Sequence, residues 1–248
     1  MSQLTDSTER DPLLDLYKGS LGEENPAHHW MLARQQTALL CIDMQYLDAA
    51  RGHGIFRDAT SSGVPLEDQE YYFSTLEGRV IPRMRQLQDT FRRAGLEVIH
   101  VRIQALTTDG RDRSKGHKRL GVLAAPGTRD ADFLEAVAPQ GDEITINKTA
   151  SGVFSSTNVN FVLKNLGITA VYVVGVYTNE CVETTIRDAC DLGYLVTMVD
   201  DCCTTVTPEL QRASVAVLRD RYARILSSAD AIAEIESLRT EKEPTVPS

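Results

Sequence analysis

Short apolar runs that recur between glycine-closed helical stretches constrain this 248-residue chain more than any other feature. TALLCI (37–42), LEVIHVRI (96–103), AVYVV (170–174) and YLVTMV (194–199) are continuously apolar rather than alternating. A strand of that kind is buried on both faces, as in a parallel sheet between two helical layers. Between the runs, apolar residues return at helical spacing. Val80, Ile81, Met84, Leu87 and Phe91 share one face of a helix expected over 75–94 and stopped by Gly95. Further helices are expected over 156–166, 181–192 and 230–238, and one opened by Thr207 as N-cap with Pro208 at its first position. Shorter strands fall at 144–147 and 224–226. The class is α/β, a three-layer sandwich with a mostly parallel, Rossmann-like sheet, and such sheets carry their sites at the carboxyl ends of the strands.

Composition narrows the function classes. A net charge of -9 argues against nucleic-acid binding, which needs a clustered basic face. No apolar run approaches the ~20 residues that cross a bilayer, so no membrane partner is expected. The polar, acidic N-terminus reads as neither a signal nor a transit peptide. Five cysteines without framework spacing point to free thiols in a reducing, cytoplasmic setting. No GxGxxG follows the first strand, and no Walker-type loop is present. The histidines at 28, 29, 53, 100 and 117 form no metal-ligand pattern, so neither cofactor nor metal is expected. The expected organisation is an N-terminal arm over 1–34, one domain over 35–240 and a flexible tail over 241–248.

Three reactive side chains share one topological address. Asp43 directly follows the first strand, Lys148 the third, and Cys181 the turn after AVYVVG. Taken singly, Asp43 reads as a turn or N-cap residue and Lys148 as a solvated loop lysine. In a parallel sheet, however, all three project at one rim. Cys181 falls in the first turn of a helix, where unpaired N–H groups and the helix dipole favour a thiolate. An ammonium nearby favours the same form, and a carboxylate can take the thiol proton and pass it to a leaving amine. Cysteine, base and cation together suit acyl transfer to water.

IDMQ (42–45), KTASGVF (148–154) and GVYTNECVETTIRDA (175–189) resemble the three signature segments of the isochorismatase-like cysteine hydrolases, in order and spacing. The resemblance spans roughly residues 35–235. It implies a six-stranded parallel sheet, a triad of Asp43, Lys148 and Cys181, a cis peptide at Val176–Tyr177, and an oxyanion hole from the backbone amides of Tyr177 and Cys181. It also implies a homodimer or homotetramer. The cysteine departs from true isochorismatases and favours C–N hydrolysis. The region after the second strand lacks the Asp-x-His…His metal site of nicotinamidases. The TNECVETT form is most similar to the ureido-cleaving branch, which includes ureidoacrylate, N-carbamoylsarcosine, biuret and triuret hydrolases.

The expected activity is therefore a cysteine-dependent amidohydrolase acting on a small linear amide or ureido compound, through a thioester. The alternatives are a nicotinamidase- or isochorismatase-type hydrolase and a non-catalytic relative that binds a small metabolite. Gln45 and Tyr46 are expected to face the cleft, with Gln45 suited to an amide edge. Arg102 and Gln104 end the second strand. Lys115, His117, Lys118 and Arg119 lie in a basic loop over 105–128. Asn179 flanks the nucleophile. Loops 48–72 and 105–128 are expected to wall the site.

Overall fold

The computed structural model describes residues 27–60 and 62–242. Six strands make one sheet: β1 (Thr37–Ile42), β2 (Glu97–Ile103), β3 (Thr145–Lys148), β4 (Ala170–Gly175), β5 (Leu195–Cys203) and β6 (Arg224–Leu226). Their order is β3-β2-β1-β4-β5-β6, and every neighbouring pair is parallel. β1 and β4 are buried along their whole length, as their unbroken apolar sequences require. Because β1 pairs with both β2 and β4, the strand order reverses there. The carboxyl ends of β1 and β4 consequently open onto the switch-point crevice of the sheet.

The two faces are packed by different helices. One face sets Leu39, Cys41, Tyr172 and Val174 against Tyr72 and Phe73 of α3 (Leu66–Thr75), Met84, Leu87 and Phe91 of α4 (Ile81–Ala94), and Ile235 of α10 (Ser228–Lys242). The other sets Leu40, Ile42, Val171 and Val173 against Val159 and Leu163 of α7 (Val159–Asn165), Ile186 of α8 (Glu183–Asp191) and Leu218 of α9 (Pro208–Leu218). Each large apolar side chain so buried contributes about 1.5–3 kcal/mol. Gly95 closes α4 in the left-handed conformation, at φ 70°.

Several boundaries depart from the sequence reading. The 48–72 stretch, expected as a loop, holds most of α3 and the end of α2 (Tyr46–Ala49). Its aromatic residues explain why. Phe56, Tyr72 and Phe73 form a cluster that also takes in Tyr177, with Tyr72 stacked on Tyr177 at 5.2 Å. A solvated loop cannot bury three such rings. α3 runs into α4 through a π turn at Leu76–Val80. The basic loop contains α5 (Lys115–Arg119), and α6 (Val153–Ser156) precedes α7.

The expected arm is helical where it is described: α1 (Ala27–Ala33) buries Leu32 and His28. Its first 26 residues lie outside the described residues. α10 extends through Lys242 into the expected tail, and 243–248 lie outside the description as well. Among the described residues no helix is long and apolar enough to cross a membrane.

Gly175 fixes how closely β4 approaches β1. Its φ is +124°, and a Cβ there would meet the Ile42 carbonyl oxygen at 2.1 Å. The obstacle is backbone, so it cannot rotate away. Gly175→Ala is expected to destabilise the fold by at least about 2 kcal/mol, read as a lower urea midpoint at unchanged slope. A variant as stable as the parent would show that this close approach is dispensable.

Candidate active site

Asp43 is the first residue beyond β1, and its backbone leaves the strand in the left-handed region at φ 54°. Aspartate is among the few residues that tolerate this region. The Asp43 N–H donates to the Val101 carbonyl at 2.9 Å, which holds the turn against β2. Lys148 is the last residue of β3 rather than the first beyond it, and it pairs in register with Ile103. β2 lies between β3 and β1, whose backbones are therefore about 10 Å apart. The long Lys148 side chain and the Asp43 carboxylate close that gap together, meeting at 2.9 Å.

Cys181 sits in a π turn, Thr178–Val182, that leads directly into α8. The Thr185 hydroxyl, one turn on, donates to the Cys181 carbonyl at 2.6 Å and fixes the turn. The Val176–Tyr177 peptide is cis. The amides of Val176, Thr178, Glu180 and Val182 all donate to backbone carbonyls.

The three side chains converge. The Lys148 ammonium lies 2.9 Å from Asp43 Oδ2, 3.3 Å from Cys181 Sγ and 3.1 Å from the Ala150 carbonyl, which accounts for its three N–H donors. Lys148 is fully buried, Asp43 is 1% exposed and Cys181 is 3% exposed. Burial alone would discharge the lysine, but the adjoining Asp43 carboxylate raises its pKa and keeps it charged. Burial also raises the Asp43 carboxyl from its ordinary value, with Lys148 opposing.

For Cys181 the structure reverses the expected direction. Burial pushes the thiol well up; Lys148 pulls it down, and the charge of Asp43 pushes it further up. The resting site is thus a neutral thiol beside an intact Lys–Asp ion pair, not a preformed thiolate.

The expected substrate-binding residues divide. Gln45 does not face a cleft. It is fully buried, its Nε2 donates to the carbonyls of Ile103 and Asp130, and its Oε1 accepts from the Ile103 N–H. It clamps the chain after Asp43 to the end of β2. Arg102 also departs from expectation. Strand alternation places it on the face opposite Lys148, where it donates to Asn147 and to the Ala131 carbonyl and covers the Phe133 ring.

Asn179 is engaged by the Thr205 hydroxyl. Lys118 is exposed and donates to the Arg111 carbonyl, and Arg119 is exposed on the same short helix. Gln104 is half-buried, and its backbone N–H donates to the Lys148 carbonyl at 3.1 Å. Tyr46 is half-buried under the Arg129 guanidinium and edge-on to His53.

A cleft of ≈ 860 Å³ runs between the 52–62 and 120–130 segments, lined by His53, Arg57, Val122, Arg129 and Asp130 among others. None of the triad residues lines it, although Leu47 of α2 does. Two buried groups near the triad fall outside the expected set of binding residues. Asp48, on α2, and Thr178, at the start of the nucleophile turn, each have a buried oxygen without a hydrogen-bond partner. His117, expected only as part of the basic loop, is buried with an unpartnered Nδ1. Among the described residues no group of three or more His, Cys, Asp or Glu side chains is placed to hold a metal ion.

Because Asp43 is a negative charge that raises the thiol, Asp43→Asn is expected to move the pH inflection of iodoacetamide alkylation at Cys181 downward. In the parent that inflection should lie above the ordinary value of about 8.5. An inflection at or below that value in the parent would contradict the neutral resting thiol.

Residues 37–230 match the Isochorismatase domain. The chain is 28% identical over 201 residues to the ureidoacrylate amidohydrolase RutB of Acinetobacter baylyi, an alignment covering 74% of this chain and 77% of that one. Among solved structures it is similar to a cysteine hydrolase from Pseudomonas syringae pv. phaseolicola, at 25% identity and a TM-score of 0.67, covering 82% of this chain and 94% of the other. An N-carbamoylsarcosine amidase from Thermoplasma acidophilum shares the fold at 22% identity and a TM-score of 0.59, over 77% and 96% of the two chains. With the domain match spanning most of its length, the chain belongs to the isochorismatase family.

Proposed function

We propose that the protein is a cysteine-dependent amidohydrolase that cleaves a C–N bond of a small linear amide or ureido compound. One observation carries this reading: a buried ammonium within 3.3 Å of a cysteine sulfur and 2.9 Å of a carboxylate, at the switch point of a parallel sheet. The similarity to a ureidoacrylate amidohydrolase supports the substrate class.

In the proposed reaction Asp43 takes the Cys181 proton as the sulfur attacks the carbonyl carbon. Lys148 stabilises the negative charge as it develops on sulfur, which is why a neutral resting thiol is no obstacle. The tetrahedral oxyanion is received by the amides of Tyr177 and Cys181, donors of a kind that contribute about 3 kcal/mol each. Asp43 returns the proton to the departing nitrogen, which leaves as ammonia or an amine. Water then enters, gives its proton to Asp43 and attacks the thioester carbon. The thiolate departs and recovers a proton, leaving the acid product.

The near-complete burial of Cys181 restricts this chemistry to compact substrates. It also favours C–S bond formation away from bulk water.

Cys181→Ala and Cys181→Ser are each expected to lower ammonia release from a ureido panel by at least about 10³-fold while the circular dichroism spectrum is kept. Turnover retained in either variant would overturn the proposal. The pH profile adds a second readout. Asp43 must be ionised to act as base and its carboxyl is raised, so kcat/KM should fall as pH drops through a value above the ordinary ~3.9. Lys148 is raised, so its deprotonation should cause no loss below about pH 10. An acid limb at or below the free carboxyl value would remove Asp43 from the role of base.

A further inference from the structure

Resting on the hydrolase reading above, we propose that Asp48 binds the end of the substrate remote from the scissile bond, and that it selects uncharged ureides and amides over analogues carrying a carboxylate there. Asp48 lies on α2, five residues beyond Asp43. Its own carbonyl accepts hydrogen bonds from the Tyr72 hydroxyl at 2.8 Å and the Tyr177 hydroxyl at 3.3 Å, so its backbone is tied to the nucleophile turn. It is 7% exposed, and its Oδ2 is buried with no hydrogen-bond partner. Buried polar atoms in folded proteins are nearly always paired. An orphan beside a reactive thiol is therefore matched most simply by a polar atom of the substrate.

The charges around the thiol decide what that atom belongs to. Among the described residues the cation in contact with the triad is Lys148, and its three donors are already committed. Arg113, from the 105–128 stretch, spends its guanidinium on the carbonyls of Gly110 and Val122. His117 is neutral near pH 7, its pKa pushed down to about 4 by burial and by the Lys148 and Arg113 charges. A substrate carboxylate approaching the thiol would meet the Asp43 carboxylate, and among these residues no cation with uncommitted donors touches the triad to receive it.

The surroundings of Asp48 favour its protonated form. Burial raises its carboxyl well above the carboxylate range, and the Asp43 charge adds to that. A protonated carboxyl offers a donor and an acceptor side by side, which is the complement of a primary amide edge. The unpartnered Nδ1 of His117 and hydroxyl of Thr178 are further neutral hydrogen-bonding groups near the triad.

The test compares kcat/KM of the full-length enzyme on biuret and triuret with that on ureidoacrylate and N-carbamoylglycine. The uncharged pair is expected to lead by at least about 100-fold, the discrimination of a site whose buried polar groups fit only one partner. Asp48→Ala should raise KM for the uncharged pair about tenfold or more while kcat changes far less, and Asp48→Asn should restore most of the loss. Equal or faster turnover of the carboxylates would overturn the inference and leave the hydrolase reading standing. So would an unchanged KM in a folded Asp48→Ala enzyme. Absence of turnover on all four compounds would overturn the hydrolase reading and the inference with it.

Discussion

The buried ammonium of Lys148 is the constraint on which the rest of the site depends. An uncompensated charge in a fully buried position is costly, and removing one partner of a buried pair typically costs 3–5 kcal/mol. Lys148 avoids that cost because Asp43, Cys181 and the Ala150 carbonyl take up its three donors. The same requirement draws residues from three strand ends to one point. The ion pair is therefore both a structural lock on the carboxyl edge of the sheet and the electrostatic environment of the thiol.

Much of the surrounding structure serves to keep that point fixed. Gly175 lets β4 pass against the Ile42 backbone, which brings the nucleophile turn alongside Asp43. Gln45 closes the other side, joining the chain after Asp43 to the end of β2 and to the Asp130 carbonyl. Tyr72 and Tyr177 stack on one another and both bind the Asp48 carbonyl. Rigid support of this kind matters because acyl transfer depends on sub-ångström placement of sulfur, base and carbonyl.

The sheet was legible in the sequence because its central strands, β1 and β4, are apolar almost without interruption, and continuous burial leaves a continuous signature. The meeting of Asp43, Lys148 and Cys181 was legible because the first two stand at strand ends and the third follows the turn after β4. Other features were hidden for physical reasons. Gln45 looks like a substrate ligand, since a polar side chain two residues beyond Asp43 gives no sign that it satisfies buried backbone groups instead. Arg102 lies one residue from the row that carries Lys148, and a one-residue offset in a strand reverses the face. Asp48 sat in a stretch read as a loop, because the burial of Phe56, Tyr72 and Phe73 that turns that stretch inward is a tertiary effect. The protonation of Cys181 was misjudged because spacing reveals neighbouring charges but not the depth of burial, and here burial is the larger influence.

The proposed hydrolysis turns on one covalent event, the transfer of a substrate acyl group to the sulfur of Cys181. Acid quenching during turnover of a ureido substrate, followed by peptide mass spectrometry, examines it directly. The expected result is a substrate-derived acyl adduct on the peptide that contains Cys181, absent from Cys181→Ala and accumulating at early times. Turnover without an adduct at that residue, or an adduct confined to another of the five cysteines, would contradict it.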